Sequence, residues 1–293
     1  MITAARSFAA LLALASGAAL AADTFEVANP DLDELSGLAV SRADPTVLWG
    51  HNDTGGGARL YRIGLRGEDL GAVTLPGARS SDWEDIDAFE DAGGPALLIA
   101  DTGDNIGWRA YVTLYAARDR GRVGAPLLLW RLDLRYPDGA HDCEAVGVDP
   151  VDREILLITK RDTRPRLYRV PLPERAPQGT QTAEFLGEVA GLPERTTLGA
   201  RLTAPLSGYR DSPTALDISR DGRTAVLVTT RHAYLYHRAP GVSWAQAFAA
   251  RPRVLELPPL DQAEAAALSP DGRELTIGAE GRPGRLARIA LPQ

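Results

Sequence analysis

Five short stretches decide the fold: Ser36-Gly-Leu-Ala-Val-Ser41, Glu84-Asp-Ile-Asp-Ala-Phe89, Glu144-Ala-Val-Gly-Val-Asp149, Thr214-Ala-Leu-Asp-Ile-Ser219 and Glu264-Ala-Ala-Ala-Leu-Ser269. Each is followed by a turn rich in Gly, Pro and Asp, such as Arg42-Ala-Asp-Pro45, Asp91-Ala-Gly-Gly94 or Arg220-Asp-Gly-Arg223, residues that supply the backbone angles a hairpin needs. A second, almost wholly apolar run comes next: Thr46–Gly50, Ala96–Ala100, Glu154–Thr159, Thr224–Thr229 and Glu274–Gly278. A third run alternates, as in Arg59-Leu-Tyr-Arg-Ile63 and Arg166-Leu-Tyr-Arg-Val170, with Val112–Ala116, Ala233–His237 and Arg285–Ile289 in the other repeats. Four repeats add a fourth run, at Leu70–Leu75, Leu127–Leu134, Glu184–Val189 and Arg253–Leu257. Units of roughly 40–60 residues with this strand pattern predict an all-β chain folded as a single β-propeller of five four-stranded blades. The fifth repeat stops after three strands near Leu291, and Thr24-Phe-Glu-Val27 offers the fourth, closing the ring between the two ends of the chain. A sixth blade is the alternative, since Pro193 to Tyr209 is long enough to hold a partial one, and an open β-sandwich is the competing architecture.

Outward from the repeats, composition sets the class. The 293 residues carry 32 Lys or Arg against 39 Asp or Glu, a formal net charge of -7, which argues against a nucleic-acid partner. A hydrophobic share of 44% is enough for a sizeable core, and the single cysteine, Cys143, excludes an internal disulfide. Lys160 is the only lysine, so a charge that arginine supplies everywhere else is here an ammonium. Residues 1–21 read as a secretory signal peptide: Arg6, then an apolar run from Ser7 to Leu20, then small residues at Ala19-Leu20-Ala21. The expectation is a periplasmic or secreted monomer, residues 22–293 forming the propeller, with no stretch apolar for long enough to span a bilayer.

Strand direction alternates within a blade, so the loop leading into the first strand and the loop leaving the second share one end of the propeller, around the central channel. Ten such windows, taken over the five repeats, hold 17 acids against 8 bases, so the acidity belongs to one face. Carboxylates brought together need a cation, a paired base or raised pKa values. Oxygen donors without a thiol or histidine cluster suit Ca²⁺, with Mg²⁺ the other choice. The candidate metal ligands are Glu34, Asn52, Asp53, Asp101, Asp104 and Asn105; the candidate catalytic residues are Lys160, Glu144, Glu84 and Arg109. Each acid has an alternative use in capping strand ends and bonding loop amides, and Lys160 an alternative as a structural ion pair. Cys143, between two acids, reads as a buried spectator, and no histidine has metal-ligand spacing. Trp49 and Trp130 read as blade core, while Trp83 and Trp108 flank the acidic motifs.

Several phrases together carry a resemblance: Ser36-Gly-Leu-Ala, Asn52-Asp53-Thr-Gly, Asp82-Trp-Glu-Asp-Ile, Asp101-Thr-Gly-Asp-Asn, Asp142-Cys-Glu-Ala and Ile158-Thr-Lys160. The chain resembles exported bacterial β-propeller proteins that are similar to the gluconolactonase/regucalcin, TolB-like and esterase-like-phytase propellers. The gluconolactonase likeness implies a central divalent metal, with Glu34, Asn52 and Asp104 as counterpart ligands, although those enzymes have six blades. The phytase likeness implies several Ca²⁺ ions and a basic phosphate-binding group, for which Lys160 and Arg109 would serve. The function expected is a Ca²⁺-dependent hydrolase of a phosphoester or an ester or lactone, acting on a small or anionic substrate at the channel. A non-catalytic propeller binding a glycan or protein, and a glycosidase using Asp53, Glu84 and Glu144, are the alternatives.

Overall fold

The innermost apolar runs become five strands that line a central channel, and each is the first strand of an antiparallel blade. A computed structural model describes residues 22–54, 56–193 and 211–292. Blade 1 contains β2 (Leu35–Val40), β3 (Val47–Asn52), β4 (Arg59–Gly64) and β5 (Asp69–Thr74) in that order. Blade 2 contains β6 (Trp83–Asp91), β7 (Gly94–Asp101), β8 (Val112–Arg118) and β9 (Leu127–Arg135). Blade 3 runs through β10 (Cys143–Asp149), β11 (Glu154–Thr159), β12 (Arg166–Pro171) and β14 (Glu184–Glu188). Blade 4 uses β15 (Pro213–Ile218), β16 (Thr224–Thr229), β17 (His232–His237) and β18 (Arg253–Glu256). Blade 5 joins β19 (Ala263–Leu268), β20 (Glu274–Ala279) and β21 (Arg285–Ala290) to β1 (Ala22–Glu26).

The ring therefore closes as the repeats predict, with β1 antiparallel to β21 in the register Ala22↔Ile289 to Glu26↔Arg285. The described chain forms five blades; residues 194–209, on which the sixth-blade alternative rested, and residues 1–21, read above as a signal peptide, lie outside the described residues. Two local features depart from the sequence reading. A short β13 (Gln181–Thr182) adds a parallel fifth strand to the edge of blade 2, pairing with Leu134 and Arg135. One turn of helix, α1 (Trp244–Ala249), interrupts the β17–β18 connection, started by a capping box between Ser243 and Gln246. The strand-by-strand reading passed over α1 because six residues are too few to show a helical period.

There is no single core. Buried side chains form five clusters, each between two neighbouring blades, which is how sheets arranged radially bury both faces. Trp49 and Trp130 lie in these clusters as expected, and α1 contributes Trp244 and Phe248 to the one between blades 3 and 4. This leaves the strand ends and the channel for polar groups.

Candidate functional site

All five inner strands break register at the same point. The slip falls between Leu35 and Gly37, Trp83 and Asp85, Cys143 and Ala145, Pro213 and Ala215, and Ala263 and Ala265. The bulged residues are Ser36, Glu84, Glu144, Thr214 and Glu264, and a bulge at a strand's rim re-aims its side chain out of the ladder. Two more rings flank this one. Glu34, Asp82, Asp142, Ser212 and Gln262 stand two residues earlier, while Asp53, Thr102, Lys160, Thr230 and Glu280 directly follow the second strands. Backbone bonds tie the rings together: Asp53 N donates to Glu34 O (3.1 Å), Lys160 N to Asp142 O (2.9 Å) and Glu280 N to Gln262 O (3.2 Å). Blade 4 gives only hydroxyls, so the acidity concentrates over blades 1, 2, 3 and 5.

Two triads of carboxylates emerge from these rings. In each of Asp53/Asp82/Glu84 and Glu84/Asp142/Glu144, one oxygen per residue lies within 4.8 Å of the others, and Glu84 belongs to both. Glu84 is only 3% exposed. Its pKa is raised well above the ordinary value by burial and then by the charges of Glu144 and Asp53. Burial, with Asp82 and Glu264 next to it, pushes Asp53 up to about 7, and Glu280 rises to about 8 through burial and its hydrogen bond and charge contact with Glu264. Asp53 Oδ1 is buried without a hydrogen-bond partner. Gly103 overhangs the first triad, and a Cβ built there would land on Glu84 Oε1 and Asp82 Oδ2. Any larger residue would fill the space between these carboxylates.

Two acids of the second triad are paired with bases. Lys160, 8% exposed, contacts Glu144 through its Nζ, and Arg161 pairs with Asp142 and reaches Asn105. Burial works against the Lys160 charge, but Glu144, Glu264 and Glu84 outweigh it and hold the group protonated.

The other residues singled out in the sequence are employed in holding the loops. Asp101 accepts the amides of Ser81 (3.3 Å) and Asp82 (3.1 Å) and pairs with Arg109 (3.0 Å), whose Nη1 also donates to Gly103 O (2.7 Å). Asp104 caps the Trp108 and Arg109 amides at 3.0 and 2.9 Å. Asn52 donates to Asp31 O (2.7 Å) and accepts from Glu34 N (3.2 Å), and the Glu34 side chain is exposed. Sequence reasoning chose Asp53, Glu84, Glu144 and Lys160 among the converging groups but left out Asp82, Asp142, Glu264 and Glu280. Their common offset from the aligned strand starts was the available signal.

Below the rings Asp85, from blade 2, accepts the amides of Val146 (2.9 Å) in blade 3 and Leu216 (3.0 Å) in blade 4, tying three inner strands together. His51 is buried against Trp83, and loss of solvation takes its pKa down to about 4, leaving it neutral. Cys143 is buried too, and burial raises its pKa, away from thiolate chemistry. Trp83 packs inside, whereas Ile106 (74%) and Trp108 (79%) stand exposed on the loop beside Asp104. A third triad, Asp149/Asp152/Glu154, lies at the other end of β10 and β11, paired with Arg238 and Arg169.

No protein-family model matches the chain, and no curated protein matches it. Solved structures similar to it include a chain of a nidogen/laminin complex, with 14% identity, 84% of this chain and 72% of that chain covered, and a TM-score of 0.47. A chain of the Kuenenia stuttgartiensis hydrazine synthase has 10% identity over 88% of this chain and 83% of its own, with a TM-score of 0.46. The RRP9 WD40 repeats have 12% identity over 88% of this chain and 67% of theirs, with a TM-score of 0.42. No described helix is long and apolar enough to cross a membrane.

Proposed function

We propose that this is an exported, Ca²⁺-binding propeller that hydrolyses an ester, lactone or phosphoester at the acidic mouth of its channel. The observation that carries the cation is the first triad: Asp53, Asp82 and Glu84 converge, and the buried Asp53 Oδ1 has no hydrogen-bond partner. Three hard oxygen donors on a preformed rim suit Ca²⁺ or Mg²⁺. Export, supported by the character of residues 1–21, would take the protein where Ca²⁺ sites with Kd of about 10⁻⁴–10⁻³ M are filled. A bound divalent ion would polarise a substrate oxygen and lower the pKa of a bound water. Lys160, held by Glu144, is the cation of this chain available to developing negative charge, and Arg109 positions the loop carrying Gly103 by its bond to the Gly103 carbonyl.

A glycan- or protein-binding propeller is the second reading, favoured by the exposed Ile106 and Trp108 beside the mouth. For a glycosidase, the close approach of Glu84 and Glu144 is shorter than the roughly 6.5–9.5 Å of an inverting pair. Turnover of chromogenic lactone, carboxylic-ester and phosphoester panels, with Ca²⁺ and with chelator, tests the proposal. Chelator-sensitive turnover abolished by Asp53→Asn is expected. Cation binding with no turnover on any panel would favour the binding propeller, and turnover indifferent to chelator would remove the metal from the chemistry.

A further inference from the structure

The two triads at the mouth share Glu84, the arrangement that two neighbouring cations bridged by one carboxylate would need. They differ in what fills them. The Glu84/Asp142/Glu144 triad already holds a cation, the Lys160 ammonium, in contact with Glu144 and attracted by Glu84 as well, and Asp142 is paired with Arg161. In the Asp53/Asp82/Glu84 triad Asp53 Oδ1 is buried without a hydrogen-bond partner, and the nine-tenths-buried Glu84 carboxylate converges on the same space. Lysine occurs once in the chain, against 31 arginines, and it occurs here. An ammonium is a compact point charge, close in role to a small ion, where a planar guanidinium would need a wider fork of acceptors.

We propose that Lys160 is a built-in substitute for a second divalent cation: it fills the Glu84/Asp142/Glu144 position, so that the mouth binds one ion per chain, on Asp53, Asp82 and Glu84. This rests on the cation-binding reading above and adds to it a stoichiometry and a role for the lone lysine. Removing the ammonium while keeping the side chain's bulk opens the second position to an ion. The two positions then share the Glu84 carboxylate.

The test is calcium titration by calorimetry on the full chain, with melting temperature as the fold control. Wild type takes up one Ca²⁺, and Lys160→Met takes up two. Lys160→Arg, which keeps the charge, takes up one. The double change Lys160→Met with Glu144→Gln, which removes the ammonium and a second-triad carboxylate together, returns to one. If Lys160→Met folds only in calcium, the ion bound per chain after gel filtration is measured by atomic emission, with two again expected. One ion in Lys160→Met, bound as in wild type, overturns the substitution role while leaving the first site intact. No ion in wild type overturns the cation-binding reading itself, and this inference with it.

Discussion

Two acidic triads at opposite ends of the propeller have the same spacing and different surroundings. Asp149, Asp152 and Glu154 each bring one oxygen within 4.8 Å of the others, as Asp53, Asp82 and Glu84 do. At the lower end Arg238 bridges Asp149 (3.0 Å) and Asp152, Trp244 Nε1 donates to Asp149 (2.7 Å), and Arg169 takes Glu154 (3.1 Å). Arg238 also stacks over Trp244 at 4.5 Å, so that triad is an ion-pair network fastening α1 between blades. At the upper end burial and the neighbouring Asp82 raise the pKa of Asp53 to about 7, and Asp53 Oδ1 has no hydrogen-bond partner. Proximity of carboxylates is thus not the mark of a cation site; uncompensated proximity is.

The comparison breaks most visibly through stability. Arg238→Ala leaves Asp149 buried and unpaired and is expected to cost about 3–5 kcal/mol in denaturant unfolding. A loss below about 1 kcal/mol would mean that the lower triad is not held by its arginine. Next comes cation affinity. Asp53→Asn or Glu84→Gln should weaken Ca²⁺ binding about 100-fold by removing a charged ligand, whereas Asp152→Asn should leave it unchanged. A lower-triad change that weakens binding would exchange the roles of the two ends.

The third effect has the opposite sign from the first. Without divalent cation, Asp53→Asn should raise stability by about 1–2 kcal/mol, the value of its pKa shift discounted for partial exposure. The matching pH dependence follows from linkage. Asp53 at about 7 and Glu280 at about 8 bind protons in the folded chain that the unfolded chain has already released. Stability of the cation-free protein therefore falls as pH rises from about 4 to about 8. Asp217, pushed up to about 6 by burial near the lower channel mouth, adds to the lower part of that fall. Millimolar Ca²⁺ should restore the melting temperature at about pH 8 and do little at about pH 5, since only the upper groups gain an ion. Equal rescue at both would separate the ion from these carboxylates. The smallest effect expected is that of Trp108→Ala, within about 0.5 kcal/mol in stability because the ring is exposed. A larger loss would show that it packs rather than waits for a ligand.

The blades were legible because each repeat writes the same strand pattern, and Thr24–Val27 matched the gap left by the three-stranded fifth repeat. Helix α1 and the edge strand β13 were not, being too short to carry a period. The site was legible to the level of its face. Asp101 and Asp104 look in sequence like the best ligands, yet their oxygens turn to backbone amides and Arg109, and sequence does not tell which way a loop carboxylate points. Asp82 and Glu264 hold the same repeat positions as Asp142 and Glu144, and the shared bulge shows why those positions face one another.

The most direct test is a crystal grown with Mn²⁺ in place of Ca²⁺ and measured at the manganese edge. The account predicts one anomalous peak, about 2.0–2.6 Å from carboxylate oxygens of Asp53, Asp82 and Glu84, and none beside Asp149. A peak at the lower triad, or an upper mouth without one at saturating Mn²⁺, would contradict it.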